Sequence, residues 1–147
     1  MNESTCTSNL SGIAEILKVI VVLQKNACPS TCSDSCDRPV LGGGPNCIVC
    51  NTRPIVLYTC CSQNTPLSMP TTRTNVACTD GTTDGCSDVF RVEKVDESTC
   101  TCRVLAPNPD TTSTYPYVST DSLFTLNLGC LCAIRCLPDT YVDNVCC

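Results

Sequence analysis

A chain of 147 residues, 42% of them apolar, is long enough for one domain with a real core and too apolar to stay disordered. The net charge of -5, with basic residues such as Arg38, Arg53, Arg91 and Lys94 scattered singly, argues against a phosphate-backbone binder. Aromatics at 4%, with no Trp, supply little for stacking on bases or sugars.

Taken in chain order, residues 1–11 are polar and read as a flexible arm carrying Cys6. They hold no basic n-region and no apolar h-region, so no export signal is expected. From 12 to 25 the pattern turns helical. Ile13, Ile16, Leu17, Ile20 and Leu23 recur at three and four, an amphipathic stripe that predicts a helix docked on a core. Glu15 and Lys18 interrupt this most apolar run, which is also too short to span a bilayer, so no membrane partner is expected.

A loop rich in Pro, Gly and Ser follows (28–50), with Cys28, Cys32, Cys36, Cys47 and Cys50. Residues 53–61, "RPIVLYTCC", read as a β-branched strand. Residues 63–75 and 79–88 read as turns and loops. "DVFRVEKV" (88–95) and "TCTCRVL" (99–105) alternate around a short turn and predict a hairpin. Phe90 and Val92 share one face of its first strand; Cys100, Cys102 and Val104 share one face of the second. Residues 106–117 read as a loop. "SLFTLNLGCLCAI" (122–134) reads as one further strand, with Phe124, Leu126, Leu128, Cys130, Cys132 and Ile134 aligned on one side. The fold class expected is mainly β, a sandwich or barrel-like antiparallel sheet with one N-terminal amphipathic helix. The division is an arm at 1–11, one domain at 12–140 with its helix at 12–25, and a Cys-ending tail at 141–147.

Seventeen cysteines set the functional question. That density exceeds the roughly 8–10% that marks a disulfide scaffold, yet a chain of this length does not need so many bridges to fold. The number is odd, so the thiols cannot all pair within one chain. A zinc site wants two close-spaced ligand pairs; Cys47-x-x-Cys50 is one, and a second C-x-x-C is missing. A cysteine-based zinc module is therefore kept as the alternative reading, and no cofactor is expected. Without histidine there is no Ser-His-Asp or Cys-His pair, and "LGGGP" (41–45) lacks the Lys and the helix of a phosphate loop. No enzyme activity is expected. Cross-linking remains. Cys6, Cys146 and Cys147, at the termini, are poorly placed to hold a core and well placed to reach another subunit. Cys28, Cys32 and Cys36 join them as candidates for links between chains. Cys100, Cys102, Cys130 and Cys132 are expected nearer the core, as intrachain pairs or buried thiols.

"NTRPIVLYT" (51–59), "VFRVEKVDESTCTCRVL" (89–105) and "FTLNLGCLCAIRCLPD" (124–139) resemble three core blocks of the CotY/CotZ/ExsY family of cysteine-rich spore coat and exosporium proteins. The resemblance implies a structural protein of the spore surface, made in the mother-cell cytoplasm without an export signal. It implies self-assembly, in hexameric units, into a two-dimensional layer locked by disulfides. The partners implied are further copies of the chain and other coat or exosporium proteins, with no nucleic acid and no membrane. Cytoplasmic synthesis followed by oxidation reconciles many thiols with the missing export signal.

Overall fold

A computed structural model describes residues 10–27, 50–61, 65–75, 78 and 85–145. The first element is helix α1 (Leu10–Ala27), two residues longer at each end than the sequence pattern indicates. Four successive β-branched residues, Val19 to Val22, disfavour a helix locally, so packing must hold it. Ala14, Leu17, Ile20 and Gln24 are buried, while Ile16 and Leu23 are each 46% exposed. The buried stripe is therefore rotated from the one expected. Gln24 explains the rotation. Its Nε2 donates to the Val92 carbonyl at 2.8 Å, and its Oε1 accepts from the Arg53 N–H at 3.1 Å. A polar side chain whose donor and acceptor are both met can sit in a core without an unpaired-group penalty.

The main sheet has five antiparallel strands: β1 (Ile55–Thr59), β4 (Val89–Val95), β5 (Thr99–Pro107), β6 (Tyr117–Asn127) and β7 (Leu131–Cys136). Their order is β6-β5-β4-β1-β7. Two short strands, β2 (Met69–Pro70) and β3 (Cys86–Ser87), form a separate ladder where loops are expected from the sequence. The predicted hairpin is β4–β5, with Phe90 opposite Val104 and Val92 opposite Cys102. One face of the sheet meets α1. There Leu17 and Ile20 pack with Ile55, Leu57, Phe90, Val92, Cys100, Cys102, Val104, Leu128 and Leu131.

The segment read as one strand over 122–134 is two strands. A three-residue 3₁₀ turn, Leu128–Cys130, separates β6 from β7, and these lie at opposite edges of the sheet. Four strand spacings would put the edges of a flat sheet about 19 Å apart, whereas such a turn advances about 6 Å. The sheet must therefore curl. It does not close into a barrel, because β6 and β7 pair with β5 and β1 and not with each other. The architecture is mainly β with one N-terminal helix.

The face away from α1 holds a polar cluster. Arg91 and Arg103 are cross-strand neighbours, and Glu93 Oε2 lies between them, 2.9 Å from Arg91 Nη1 and 3.0 Å from Arg103 Nε. Arg91 is 4% exposed and also donates to Thr52 Oγ1 and the Asn51 carbonyl. The alternating pattern of β4 puts Arg91 opposite the core face, but solvent does not reach it there. The chain stays with this body as far as Val142, which is buried and held by Asn51 through two 2.9 Å hydrogen bonds.

Two glycines give opposite expectations. Gly85 has φ +76°, a conformation that costs a residue with a Cβ about 1–2 kcal/mol. Gly12 lies in α1 with open space where a Cβ would stand. Urea denaturation should therefore find Gly85→Ala destabilised by about 1–2 kcal/mol and Gly12→Ala stabilised by about 0.5–1 kcal/mol.

Candidate functional site

The cysteines fall into two environments. Cys100 and Cys102 occupy successive core-facing positions of β5 and are 1% and 0% exposed. Both are unbridged, and their thiols share a hydrogen bond. That bond, and then burial, push the Cys102 thiol well above its ordinary pKa; the same bond holds Cys100 below it. A thiol that is buried and protonated is a poor nucleophile.

Cys50, Cys61, Cys130, Cys132 and Cys136 are exposed and unbridged. All five flank one edge of the sheet, where β7 pairs with β1. Ile55 stands opposite Cys136, and Thr59 opposite Leu131. Cys60, which is half-buried, donates its N–H to the Cys130 carbonyl at 2.9 Å, so Cys61 lies close to Cys130 and Cys132. At the other end, Cys50 precedes Asn51 and Thr52, whose N–H groups both donate to the Thr140 carbonyl at 3.1 Å. Arg53 clamps this end with a bidentate pair to Asp139, at 2.7 and 2.9 Å. The bond from Arg53 holds the Asp139 carboxyl below its ordinary range. Its contribution is present above that range and is lost as pH falls through the lowered value. For a pair this exposed it amounts to less than about 1 kcal/mol.

The exposure of Cys130 and Cys132 corrects their assignment to the core. The 3₁₀ turn shifts the alternation by one residue, so Leu131 is buried in their place. The pairing is also irregular between Tyr58 and Thr59, which leaves Cys132 as an extra residue without a partner on β1. Cys6, Cys28, Cys32, Cys36, Cys146 and Cys147 lie outside the described residues, as does Cys47 of the C-x-x-C pair.

One disulfide lies among the described residues, Cys78–Cys86, with Cα atoms 6.1 Å apart. Sequence reasoning missed it. The signal was present in two cysteines flanking a turn-rich stretch, "TDGTTDG" (79–85). Cys86 belongs to β3, so the bridge ties the short ladder to the segment before it.

Among the described residues, no group of three or more Cys, Asp or Glu is arranged to hold a metal ion, and no helix is long and apolar enough to cross a membrane. An open cleft of about 630 Å³ lies between β2 and β6, lined in part by Met69, Arg73, Arg103, Asp121 and Leu123. Its Arg103 is already engaged by Glu93 and the Thr120 carbonyl.

The two environments give a chemical expectation. Under reducing, native conditions a maleimide should label Cys61, Cys130, Cys132 and Cys136 at least about a hundredfold faster than Cys100 and Cys102, which require local opening. Time-resolved peptide mass spectrometry reads the rates. Comparable rates at Cys102 and Cys132 would contradict the burial of β5.

Comparison with known proteins follows the same direction. The family model described as spore coat protein Z matches residues 1–116, a span that includes α1 and the β4–β5 hairpin. No curated protein and no solved structure matches the chain. The chain belongs to the spore coat protein Z family, the structural proteins of the spore surface.

Proposed function

We propose that the chain is a self-assembling coat protein whose folded domain packs into a two-dimensional layer, which disulfides between subunits then lock. The observation that carries this reading is the placement of the thiols. Cys50, Cys61, Cys130, Cys132 and Cys136 lie on the surface of a domain whose core is closed without them. A surface thiol can do little for its own fold and is accessible to a neighbour's.

The order of events follows from chemistry. Folded subunits meet first through weak, symmetric contacts, which set the lattice and its hexameric units. Oxidation then converts reversible contacts into covalent ones, so resistance becomes kinetic. Synthesis in the mother-cell cytoplasm keeps the thiols reduced until assembly is complete. Further copies of the chain and other coat or exosporium proteins are its partners. Non-reducing gel electrophoresis of assembled, oxidised protein should give species too large to enter the gel, collapsing to monomer on addition of reductant. Monomer in both lanes would contradict the proposal.

A further inference from the structure

Helix α1 has two apolar faces, and the sheet accounts for one of them. At about 100° per residue, Ala14, Leu17, Ile20 and Gln24 form the arc buried against the sheet. Ile16, Val19, Val22 and Leu23 fall within an arc of about 120° on the opposite side. They are 46–56% exposed, and they supply four of the six large apolar side chains so exposed among the described residues. A helix face turned to solvent ordinarily carries Ala, Glu, Lys or Gln, which a helix accommodates at little cost. Val19 and Val22 are β-branched, lose rotamer freedom in a helix and gain no burial here in return. A partner that covered the stripe would offset that cost.

The charges beside the stripe identify the partner. Glu15, Lys18 and Lys25 are exposed and stand on one flank of it. The stripe is also close to symmetric about Val19, with Ile16 and Val22 three residues to either side. A two-fold axis at Val19 that sets two copies of α1 antiparallel brings Val19 against Val19 and Ile16 against the partner's Val22. It keeps both charged flanks on the same side. The partner's Glu15 then lies within about 3 Å of Lys25 along the helix axis, so two reciprocal Glu15–Lys25 pairs form. A parallel pair puts the charged flanks on opposite sides, where Glu15 meets no lysine of the partner.

We infer that α1 packs antiparallel against α1 of a second copy about a two-fold axis at Val19, through Ile16, Val19, Val22 and Leu23, with Glu15 of each copy beside Lys25 of the other. The inference rests on the self-assembly reading and names one of its contacts. One helix pair is too small to reach the roughly 1,200 Å² of a stable interface, which suits a weak contact that acts as one among several. Helices packed about 8–10 Å apart bring the two facing Val19 Cα atoms to about 5 Å, within the range a disulfide spans, whereas the two Leu23 Cα atoms stand about 12 Å apart along the axis.

The test uses the full chain. Heavy- and light-isotope preparations are mixed under reductant, allowed to assemble, oxidised with glutathione disulfide and digested without reduction. Trypsin with a glutamyl endopeptidase cuts after Lys18 and after position 25, and the released segment 19–25 holds no native cysteine. Val19→Cys and Leu23→Cys replace side chains of similar exposure, so random collision would link them alike. The mixed-isotope dimer of segment 19–25 should form from Val19→Cys in at least about tenfold excess over Leu23→Cys. With Val19→Cys in place, Glu15→Lys alone and Lys25→Glu alone should each lower that yield about fivefold. Mixing those two chains restores both charge pairs and should return the yield to the parent level. Equal yields from Val19→Cys and Leu23→Cys, or a mixture no better than either charge variant, would overturn the inference. A segment 19–25 bridged only to native cysteines, or to none, beside mixed-isotope bridges among the native cysteines, would overturn it and leave the coat-layer reading standing. Mixed-isotope bridges nowhere would overturn both.

Discussion

Phe90→Ala should destabilise the domain by about 3–5 kcal/mol. Phe90 is fully buried near the start of β4, the middle strand of the five, and its ring meets Phe124 edge-on at a centroid distance of 4.8 Å. Removing it takes away the transfer free energy of a large side chain and leaves a cavity that α1 above and the paired strands below cannot easily fill. Edge-to-face aromatic contact adds about 0.5–1.5 kcal/mol to the loss. Domains of this size commonly have about 5–15 kcal/mol in total, so the variant should unfold at markedly lower urea concentration and assemble poorly at growth temperature. Phe90→Leu, which keeps most of the volume, should recover much of the stability. A midpoint for Phe90→Ala within error of the parent would contradict the core assignment.

Glu93→Gln should cost about 3 kcal/mol, far more than an average surface change. The carboxylate sits between Arg91 and Arg103, and Arg91 is buried. Neutralising it leaves two guanidinium groups facing across a strand pair, one of them with no route to water. Breaking a buried pair by removing one partner typically costs about 3–5 kcal/mol; the partial exposure of Glu93 favours the lower end. Lys94→Ala provides the control. Its ion pair with Asp96 spans 3.8 Å between exposed side chains, and its loss should change stability by less than about 0.5 kcal/mol. Chemical denaturation of the two variants side by side decides the matter. Equal effects would mean that the buried cluster contributes no more than a surface pair.

What the sequence revealed, and what it hid, follows from which forces are local. The β4–β5 hairpin was legible because period-two alternation around a tight turn is written in adjacent residues. The helix was legible as a helix, but its orientation was not. Hydrophobicity placed Ile16 and Leu23 inward, whereas the partners waiting for Gln24, on Val92 and Arg53, are distant in sequence. The stretch from 122 to 134 kept its alternation as far as Leu128. The 3₁₀ turn that sends the chain to the opposite edge depends on contacts such as the Leu128 N–H to the Ser98 carbonyl, which no local pattern announces. That single turn also decided the site. It moved Cys130 and Cys132 from the core to the surface, and so joined them with Cys136 and Cys61 along one edge. The family was legible from residue blocks, which the match over residues 1–116 supports independently. The Cys78–Cys86 bridge was hidden among the many pairings that seventeen cysteines allow.

Electron microscopy of the purified chain in negative stain, with and without reductant, tests the central claim most directly. Ordered sheets should form from the folded protein. After oxidation they should survive boiling in denaturant and dissolve once reductant is added. Discrete monomers under both conditions would contradict the self-assembling coat layer, whatever the fate of any single cysteine.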